Sequence, residues 1–244
     1  MMDSLAQELI DETITHVPRW DMFATSLVAR RWRRPSQQRN FEFVLFVSDD
    51  VTRWEVNIPQ DPDGIPSYVH HVRLKRTPLS LKPGILPRVL KTFTLMISLD
   101  IDSSHLPPLD ELAVPVSLGE FGRGITRLTL VQVQGPRTVI TSFIFLFPNL
   151  KELVIVDVDF WHDESPPVIP KIPQRRPLES FMVLGYRGFP YNAVSEWWLA
   201  SRRLSLGPSA KGINLLIGGS SKTMVELTLM GMQLLRDCEK QHLC

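Results

Sequence analysis

The sequence predicts an α/β protein in which an N-terminal helical module, residues 1–41, precedes an irregular solenoid with a parallel curved sheet, residues 42–244. Three observations lead to this prediction. Residues 1–41 carry apolar side chains at helical spacing. Residues 42–244 contain a recurring triad of apolar residues spaced i, i+3, i+5. The 20 prolines among 244 residues favour many short elements over a few long helices.

Composition restricts the class of protein. A hydrophobic fraction of 43% indicates a folded core and excludes a disordered chain. Because 27 Lys+Arg residues nearly balance 26 Asp+Glu residues, nucleic acid is not the expected partner. The only two cysteines, Cys238 and Cys244, form no disulfide framework, which favours a reducing compartment. Residues 1–20 lack an apolar signal region, and the most apolar run, Val139–Phe147, is too short to span a bilayer. We therefore expect a cytoplasmic or nuclear protein with no membrane partner.

The helical module is predicted as two helices. Ser4 is the expected N-cap of the first helix, and Pro18 is expected to end it. The apolar residues of this helix spread over a wide arc, opposite its acidic residues. The second helix is expected from about Asp21. It has Phe23, Leu27 and Val28 on one face, with Trp32 a turn beyond, and several arginines follow before Pro35 breaks the run.

Two segments of this module resemble the F-box, which docks on the Skp adaptor of Skp–cullin–F-box ubiquitin ligases. They are Leu5-Ala-Gln-Glu-Leu-Ile-Asp-Glu-Thr-Ile14 and Ser26-Leu-Val-Ala-Arg-Arg-Trp32, and the resemblance covers roughly residues 4–41. Ala6, Thr13 and Ala29 depart from the usual pattern. The resemblance implies adaptor contacts by Leu5, Ala6, Glu8, Leu9, Ile14, Leu27, Val28 and Trp32, with Trp32 also expected to anchor the module internally. The alternative is an ordinary amphipathic helical hairpin within the domain core.

The apolar triads predict the strands of the sheet. Their middle residues are Val72, Phe93, Leu128, Leu153, Phe181, Leu204 and Leu227, and most of the intervals between them are typical of leucine-rich repeats. Phe41–Val47 is a further strand candidate, apolar enough to be buried on both faces. The clearest unit has a strand at 126–133, a helix at 138–147 and a strand at 150–155, which is a right-handed crossover between parallel strands.

The order of an F-box before such repeats resembles the F-box/leucine-rich-repeat receptors, particularly the divergent type common in mushroom-forming fungi. The phrase Phe147-Pro-Asn-Leu-Lys-Glu-Leu153 is typical of that type. The asparagine ladder of regular repeats is absent, because its positions hold Val133, Val158, Tyr186 and Met232. The sequence therefore favours an irregular solenoid over a smooth horseshoe. The alternative is a compact α/β domain with similarly spaced parallel strands.

No motif predicts catalysis, a metal or a cofactor. Gly218–Thr223 lacks the glycines of a phosphate loop, and no histidine or cysteine pair has metal-ligand spacing. Trp161 opens the polar turn Trp161-His-Asp-Glu164, which has no accompanying nucleophile and is read as a surface turn. We expect a chain without catalytic residues.

Two further features point to protein binding. A proline-rich loop at 165–177 contains Pro170, Pro173 and Arg175, spaced as in ligands of SH3-type grooves, although a stiff connector is the simpler interpretation. Trp197 and Trp198 stand side by side, so that one of them becomes a candidate partner anchor unless a broad helix face is covered. Trp161 is a third aromatic candidate.

The resemblance implies a receptor that docks on the Skp adaptor and holds a protein substrate, whose identity the sequence does not reveal. Two alternatives remain. One is a degenerate or truncated paralogue that acts as an interaction scaffold. The other is a nucleic-acid or anionic-surface binder that uses Arg30, Arg31, Arg33, Arg34 and Arg39.

Overall fold

Helices form the first part of the chain. The computed structural model describes residues 6–47, 50–57, 64–76, 85–102, 122–161, 178–187, 203–206 and 226–229. The first helices are α1 (Gln7–His16), α2 (Met22–Ser26) and α3 (Arg30–Phe41), with a 3-10 turn at Arg19–Asp21. Ala6 stands at the N-cap of α1 without a side-chain cap, and the predicted cap Ser4 lies outside the described residues.

The predicted break at Pro35 is wrong, because α3 continues through this proline to Phe41. Trp32 and Ser36, one turn apart on α3, are both buried. Burial of this side of α3 outweighs the local preference of proline against a helix interior. The predicted second helix is accordingly two helices, α2 and α3, with a short connection at Leu27–Ala29.

We expect Pro35→Ala to raise the free energy of unfolding by about 1–2 kcal/mol, because proline within a helix lacks the N–H donor and crowds the carbonyl of Arg31. Thermal unfolding followed by circular dichroism measures this change. Pro18→Ala is the matched control: Pro18 has φ −58°, which suits proline, so its replacement should lower stability by about 0.4–1 kcal/mol. If Pro35→Ala lost as much stability as the control, the placement of Pro35 inside α3 would be contradicted.

The rest of the described chain is α/β. Its strands are β1 (Phe43–Val47), β2 (His71–Lys75), β3 (Ser98–Asp102), β4 (Arg127–Val131), β5 (Gln134–Pro136), β6 (Glu152–Trp161), β7 (Ser180–Arg187), β8 (Arg203–Leu206) and β9 (Glu226–Leu229). Helices α4 (Asp50–Asn57), α5 (Ile85–Lys91) and α6 (Arg137–Phe145) lie between them, with a 3-10 turn at Ile65–Tyr68. The strands form one sheet in the order β1-β2-β3-β4-β6-β7-β8-β9, and β5 pairs with β6. Every pairing is parallel, which confirms the predicted parallel sheet in chain order.

One row of the sheet, named here the central row, aligns residues 23 to 29 positions apart along the chain. Its members are Val44, Val72, Leu99, Leu128, Leu153, Phe181, Leu204 and Leu227. The predicted triads at 69/72/74, 125/128/130, 150/153/155 and 178/181/183 are entirely buried. Each buried aliphatic or aromatic side chain contributes about 1.5–3 kcal/mol, so these triads form the main core of the protein.

The predicted strand through Leu90, Phe93 and Leu95 is wrong. Strand β3 lies later, and its buried triad is Met96, Leu99 and Ile101. Leu90 ends up near the end of α5, and Phe93 packs from the turn that follows, whereas Leu95 is exposed. The turn from 92 to 97 therefore separates two apolar groups that the sequence pattern does not distinguish.

Strand β1 is buried on one face only, contrary to the sequence interpretation. Phe46 packs against Trp54 and Phe93, with ring centroids 5.4 and 6.2 Å away, whereas Leu45 and Val47 are exposed. The same alternation of buried and more exposed side chains occurs in β2 and β4, so one face of these strands packs on the core and the other points away from it. Trp54 also contacts Phe41 at the end of α3, so the helical module adjoins this edge of the sheet.

A left-handed residue recurs at one common register position, directly after β2 and β4 and within β6. Arg76, Gln132 and Asp157 have φ of 50°, 51° and 51°, and each comes directly after residues that the register aligns. Gly185 occupies the corresponding position in β7, where pairing skips one residue and resumes. A left-handed conformation is costly for a side chain with a Cβ, so its repetition marks the same local change of backbone direction at β2, β4 and β6.

Candidate docking surface

The helical module exposes an unusual set of large apolar side chains. Leu9, Trp20, Phe23, Leu27 and Val28 are 55, 82, 73, 71 and 51% exposed, and we name them the apolar set. Large apolar side chains gathered at one part of a surface are typical of interaction sites. The module is therefore the strongest candidate site among the described residues.

The helical module has a small buried core of its own, and the apolar set lies outside it. Ile10 and Ile14 of α1 meet Met22 of α2 and Trp32 of α3 in a buried cluster separate from the core of the sheet. Val17 and Ala29 pack against this cluster. The interior is thus filled by one side chain or one pair from each helix, and the remaining apolar residues stay in solvent.

Three members of the apolar set share one side of the chain. Trp20, Phe23 and Leu27 follow the spacing i, i+3, i+7 through the 3-10 turn and α2, which brings helical side chains onto the same side. Met22 lies on the opposite side and is fully buried. Val28 follows directly, and Leu9 is supplied by α1. A partner that covered this side would bury apolar area without disturbing the core of the module.

The structure separates the adaptor contacts implied by the resemblance into two groups. Ala6, Glu8, Leu9, Leu27 and Val28 are exposed and available to a partner. Ile14 and Trp32 are 3% and 9% exposed, so they belong to the core of the module and not to its surface. Leu5 lies outside the described residues.

Two apolar residues of the surface were absent from the expected contacts. The sequence predicts Phe23 on the face of Leu27 and Val28 but not as a contact, and it predicts no role for Trp20, which follows Pro18 in the connection between helices. The i, i+3, i+7 relation of Trp20 to Phe23 and Leu27 was the available signal. Thr13, a departure from the F-box pattern, is exposed, and its hydroxyl donates a hydrogen bond of 2.6 Å to the carbonyl of Leu9.

Charges are distributed unevenly over the helices. Glu8, Asp11 and Glu12 are exposed on α1, where Glu12 contacts His16 at 3.1 Å. Helix α3 has exposed arginines at positions 30, 31, 33 and 34 and no acidic residue. The end of the apolar set at Leu27 and Val28 therefore adjoins a positively charged helix.

An open groove of about 480 Å³ lies between the helical module and the beginning of the sheet. Its polar lining includes Asp11, Arg39, Glu42, Tyr68 and His70. The Nε of Arg39 and the Nδ1 of His70 are buried without a hydrogen-bond partner. This mixed lining favours no single ligand class.

The sheet carries ion pairs on the face that alternates with the core. Arg73 donates to Asp102 at 2.7 Å between β2 and β3, and Asp102 is buried. Arg127 of β4 lies 3.8 Å from Glu152 of β6, and both of these side chains are about half exposed. Neighbouring strands thus neutralise part of each other's charge.

We expect Asp102→Asn to lower the free energy of unfolding by about 1–2 kcal/mol, because it removes the charge from a buried, hydrogen-bonded partner of Arg73. Urea unfolding measures this change. Glu152→Gln is the control, with an expected effect below about 0.5 kcal/mol because its pair is longer and exposed. Equal effects of the two substitutions would contradict the conclusion that the buried pair of Arg73 and Asp102 stabilises the protein more than the exposed pair of Arg127 and Glu152.

The remaining candidate anchors lie partly outside the described chain. Trp161, at the end of β6, is 46% exposed, and its backbone is in register with Pro136 of β5. The other predicted partner residues, Pro170, Pro173, Arg175, Trp197 and Trp198, lie outside the described residues. Trp161 is therefore the one predicted anchor of this region that the structure describes.

Within the described ranges there is neither a candidate metal cluster nor a candidate membrane-spanning helix. No group of three or more His, Cys, Asp or Glu side chains there is arranged to hold a metal ion. None of the described helices has the length and apolar character needed to cross a membrane.

No protein-family model matches the chain, and no curated protein matches it. The described residues define an α/β protein: three helices with their own small core, followed by a parallel sheet whose strands follow chain order. The exposed apolar set on those helices is the structural feature on which a functional proposal can be based.

Proposed function

We propose that this chain is the substrate-recognition subunit of a Skp–cullin–F-box ubiquitin ligase. In this proposal residues 1–41 are an F-box that docks on the Skp adaptor, and residues 42–244 are an irregular leucine-rich-repeat-like solenoid that holds a protein substrate. The chain itself performs no chemistry. It raises the effective concentration of the substrate near a conjugating enzyme.

The exposure of the apolar set is the observation that carries the proposal. Trp20, Phe23 and Leu27 lie outside the buried core of the module, whereas a docking module requires exposed apolar side chains of this kind. The F-box resemblance places Leu9, Leu27 and Val28 among the adaptor contacts, and all three are exposed. Burial of Ile14 and Trp32 gives these two residues the role of holding the helices together.

Two features of the sheet support the solenoid part of the proposal. The members of the central row recur at intervals of 23 to 29 residues, within the usual range of leucine-rich repeats. The left-handed residues Arg76, Gln132 and Asp157 recur at one register position of the sheet, as expected of repeated coils. Val133 and Val158, at the positions of the missing asparagine ladder, are buried apolar residues, so adjacent coils pack there without that ladder.

Isothermal titration calorimetry of the full chain with a purified fungal Skp adaptor tests the proposal. We expect a Kd of roughly 1 μM or tighter, which corresponds to about −8 kcal/mol. Absence of binding at tens of micromolar would contradict the ligase role. The alternative of a degenerate F-box paralogue that acts as a protein-interaction scaffold would then be favoured.

A further inference from the structure

We infer that exposed arginines of α3 and the apolar set form one docking surface that selects an acidic protein partner, namely an adaptor groove bordered by carboxylates. The arginines are Arg30, Arg33 and Arg34, named here the arginine row. This inference rests on the proposed function and adds the charge of the surface that the partner must present.

The arginine row lies where it can reach a partner of the apolar set. Trp32 and Ser36 point α3 toward the interior, and Arg30 and Arg34, one turn apart, lie on the opposite side of the helix. All three arginines are exposed. Arg30 follows Val28 by only two residues, so the first arginine of the row lies next to the end of the apolar set with no secondary-structure element between them.

In the free chain the arginine row is electrostatically unfavourable. Arg30 and Arg34 are like charges at i, i+4, and Arg30 and Arg33 are like charges at i, i+3, and such pairs destabilise a helix. Both pairs begin in the first turn of α3, where the helix dipole disfavours positive charge. Within the described part of the chain, no carboxylate forms an ion pair with any of the three. Carboxylates on a partner surface would attract the three arginines and so offset both their mutual repulsion and their unfavourable interaction with the helix dipole.

The apolar set favours a protein over the other anionic partners that arginines bind. A nucleic-acid phosphate backbone would engage the arginine row but leave Leu27 and Val28 in water. A lipid surface would take up apolar side chains, but Leu9 comes from a different helix than Phe23 and Leu27, and α1 also exposes Glu8 and Glu12. Carboxylates on α1 would be repelled by anionic lipid. A shaped protein groove accommodates apolar residues from two helices with the cations at one end.

The test compares the full chain with the double variant Arg30→Gln/Arg34→Gln in binding to a purified fungal Skp adaptor at about 50 mM and about 300 mM NaCl, where screening differs strongly. We expect wild-type affinity to fall about fivefold or more between the two salt concentrations. The double variant should bind about fivefold more weakly at low salt and lose most of the salt dependence. The matched control Arg53→Gln/Arg123→Gln removes two exposed arginines outside the module and should behave as wild type.

Two results would overturn the inference while leaving the proposed function intact. One is adaptor binding that is insensitive to salt and equal in wild type and Arg30→Gln/Arg34→Gln. The other is equal loss of affinity in the control variant, which would indicate a general effect of net charge. Failure of wild type to bind the adaptor would instead refute the proposed function. In that case binding to vesicles containing phosphatidylserine or to duplex DNA, lost in Arg30→Gln/Arg34→Gln, would assign the arginine row to an anionic surface and overturn the inference of a protein partner.

Discussion

Leu128→Ala is expected to lower the free energy of unfolding by about 2–5 kcal/mol, a large part of the stability of an ordinary domain. Leu128 is fully buried in the central row, in register with Leu99 on one side and Leu153 on the other. Truncation loses the free energy of transferring the leucine side chain out of water and leaves a cavity in the core. The surrounding close-packed residues can fill that cavity only in part. Urea unfolding followed by circular dichroism measures the loss.

Leu95→Ala is the matched control for Leu128→Ala. Leu95 is 51% exposed, although the sequence pattern placed it in a strand core. Its truncation should change the free energy of unfolding by less than about 0.5 kcal/mol. If Leu95→Ala were as damaging as Leu128→Ala, the assignment of β3 to Ser98–Asp102 would be wrong. The predicted strand through Leu90, Phe93 and Leu95 would then be favoured.

The second large effect concerns docking. We expect Leu27→Ser/Val28→Ser to weaken binding of the Skp adaptor by at least about 30-fold, which corresponds to about 2 kcal/mol. Each apolar side chain is worth about 1.5–3 kcal/mol when fully buried, and a partner surface buries part of it. Serine removes the apolar contact without adding charge, so the effect stays separate from that of the arginine row. Calorimetric titration of the adaptor measures the change.

The control for this variant is Leu95→Ser/Val56→Ser, which also replaces one exposed leucine and one exposed valine, but outside the helical module. It should bind as wild type. Circular dichroism should give native spectra for both variants, since none of the four side chains is buried. Equal binding by wild type and Leu27→Ser/Val28→Ser would show that the docking face lies elsewhere.

Strand positions could be predicted from the sequence where a single apolar triad lies between residues that interrupt strands, such as glycine and proline. Around Leu128 and Leu153 the pattern of i, i+3, i+5 is bounded by glycine, proline and polar residues, and a strand formed at each triad. Strand β6 continues to Trp161, beyond its predicted end at residue 155. Between 85 and 102 two apolar triads follow each other closely, and periodicity alone does not separate them. The intervals would have helped: a strand centred on Leu99 lies 27 residues after Val72, whereas one centred on Phe93 lies 21 residues after it.

The candidate site could be predicted only in part, because sequence periodicity reveals apolar faces but not which of them is covered. Leu9, Leu27 and Val28 remain in solvent, whereas Ile14 and Trp32 are taken up by the core of the module. Pro35 failed as a signal because burial of Trp32 outweighed a local preference. When a local conformational preference and burial in the folded core disagree, packing decides the outcome. A single position in the sequence does not reveal that packing.

The most direct test of the central claim is assembly of the full ligase core. Size-exclusion chromatography with light scattering, applied to this chain mixed with a purified Skp adaptor and a cullin, reports which proteins share a complex and at what mass. The proposal predicts one complex containing a single copy of each protein, and Leu27→Ser/Val28→Ser should release this chain from it. If wild type elutes apart from an intact adaptor–cullin complex, the chain is not a receptor of this ligase.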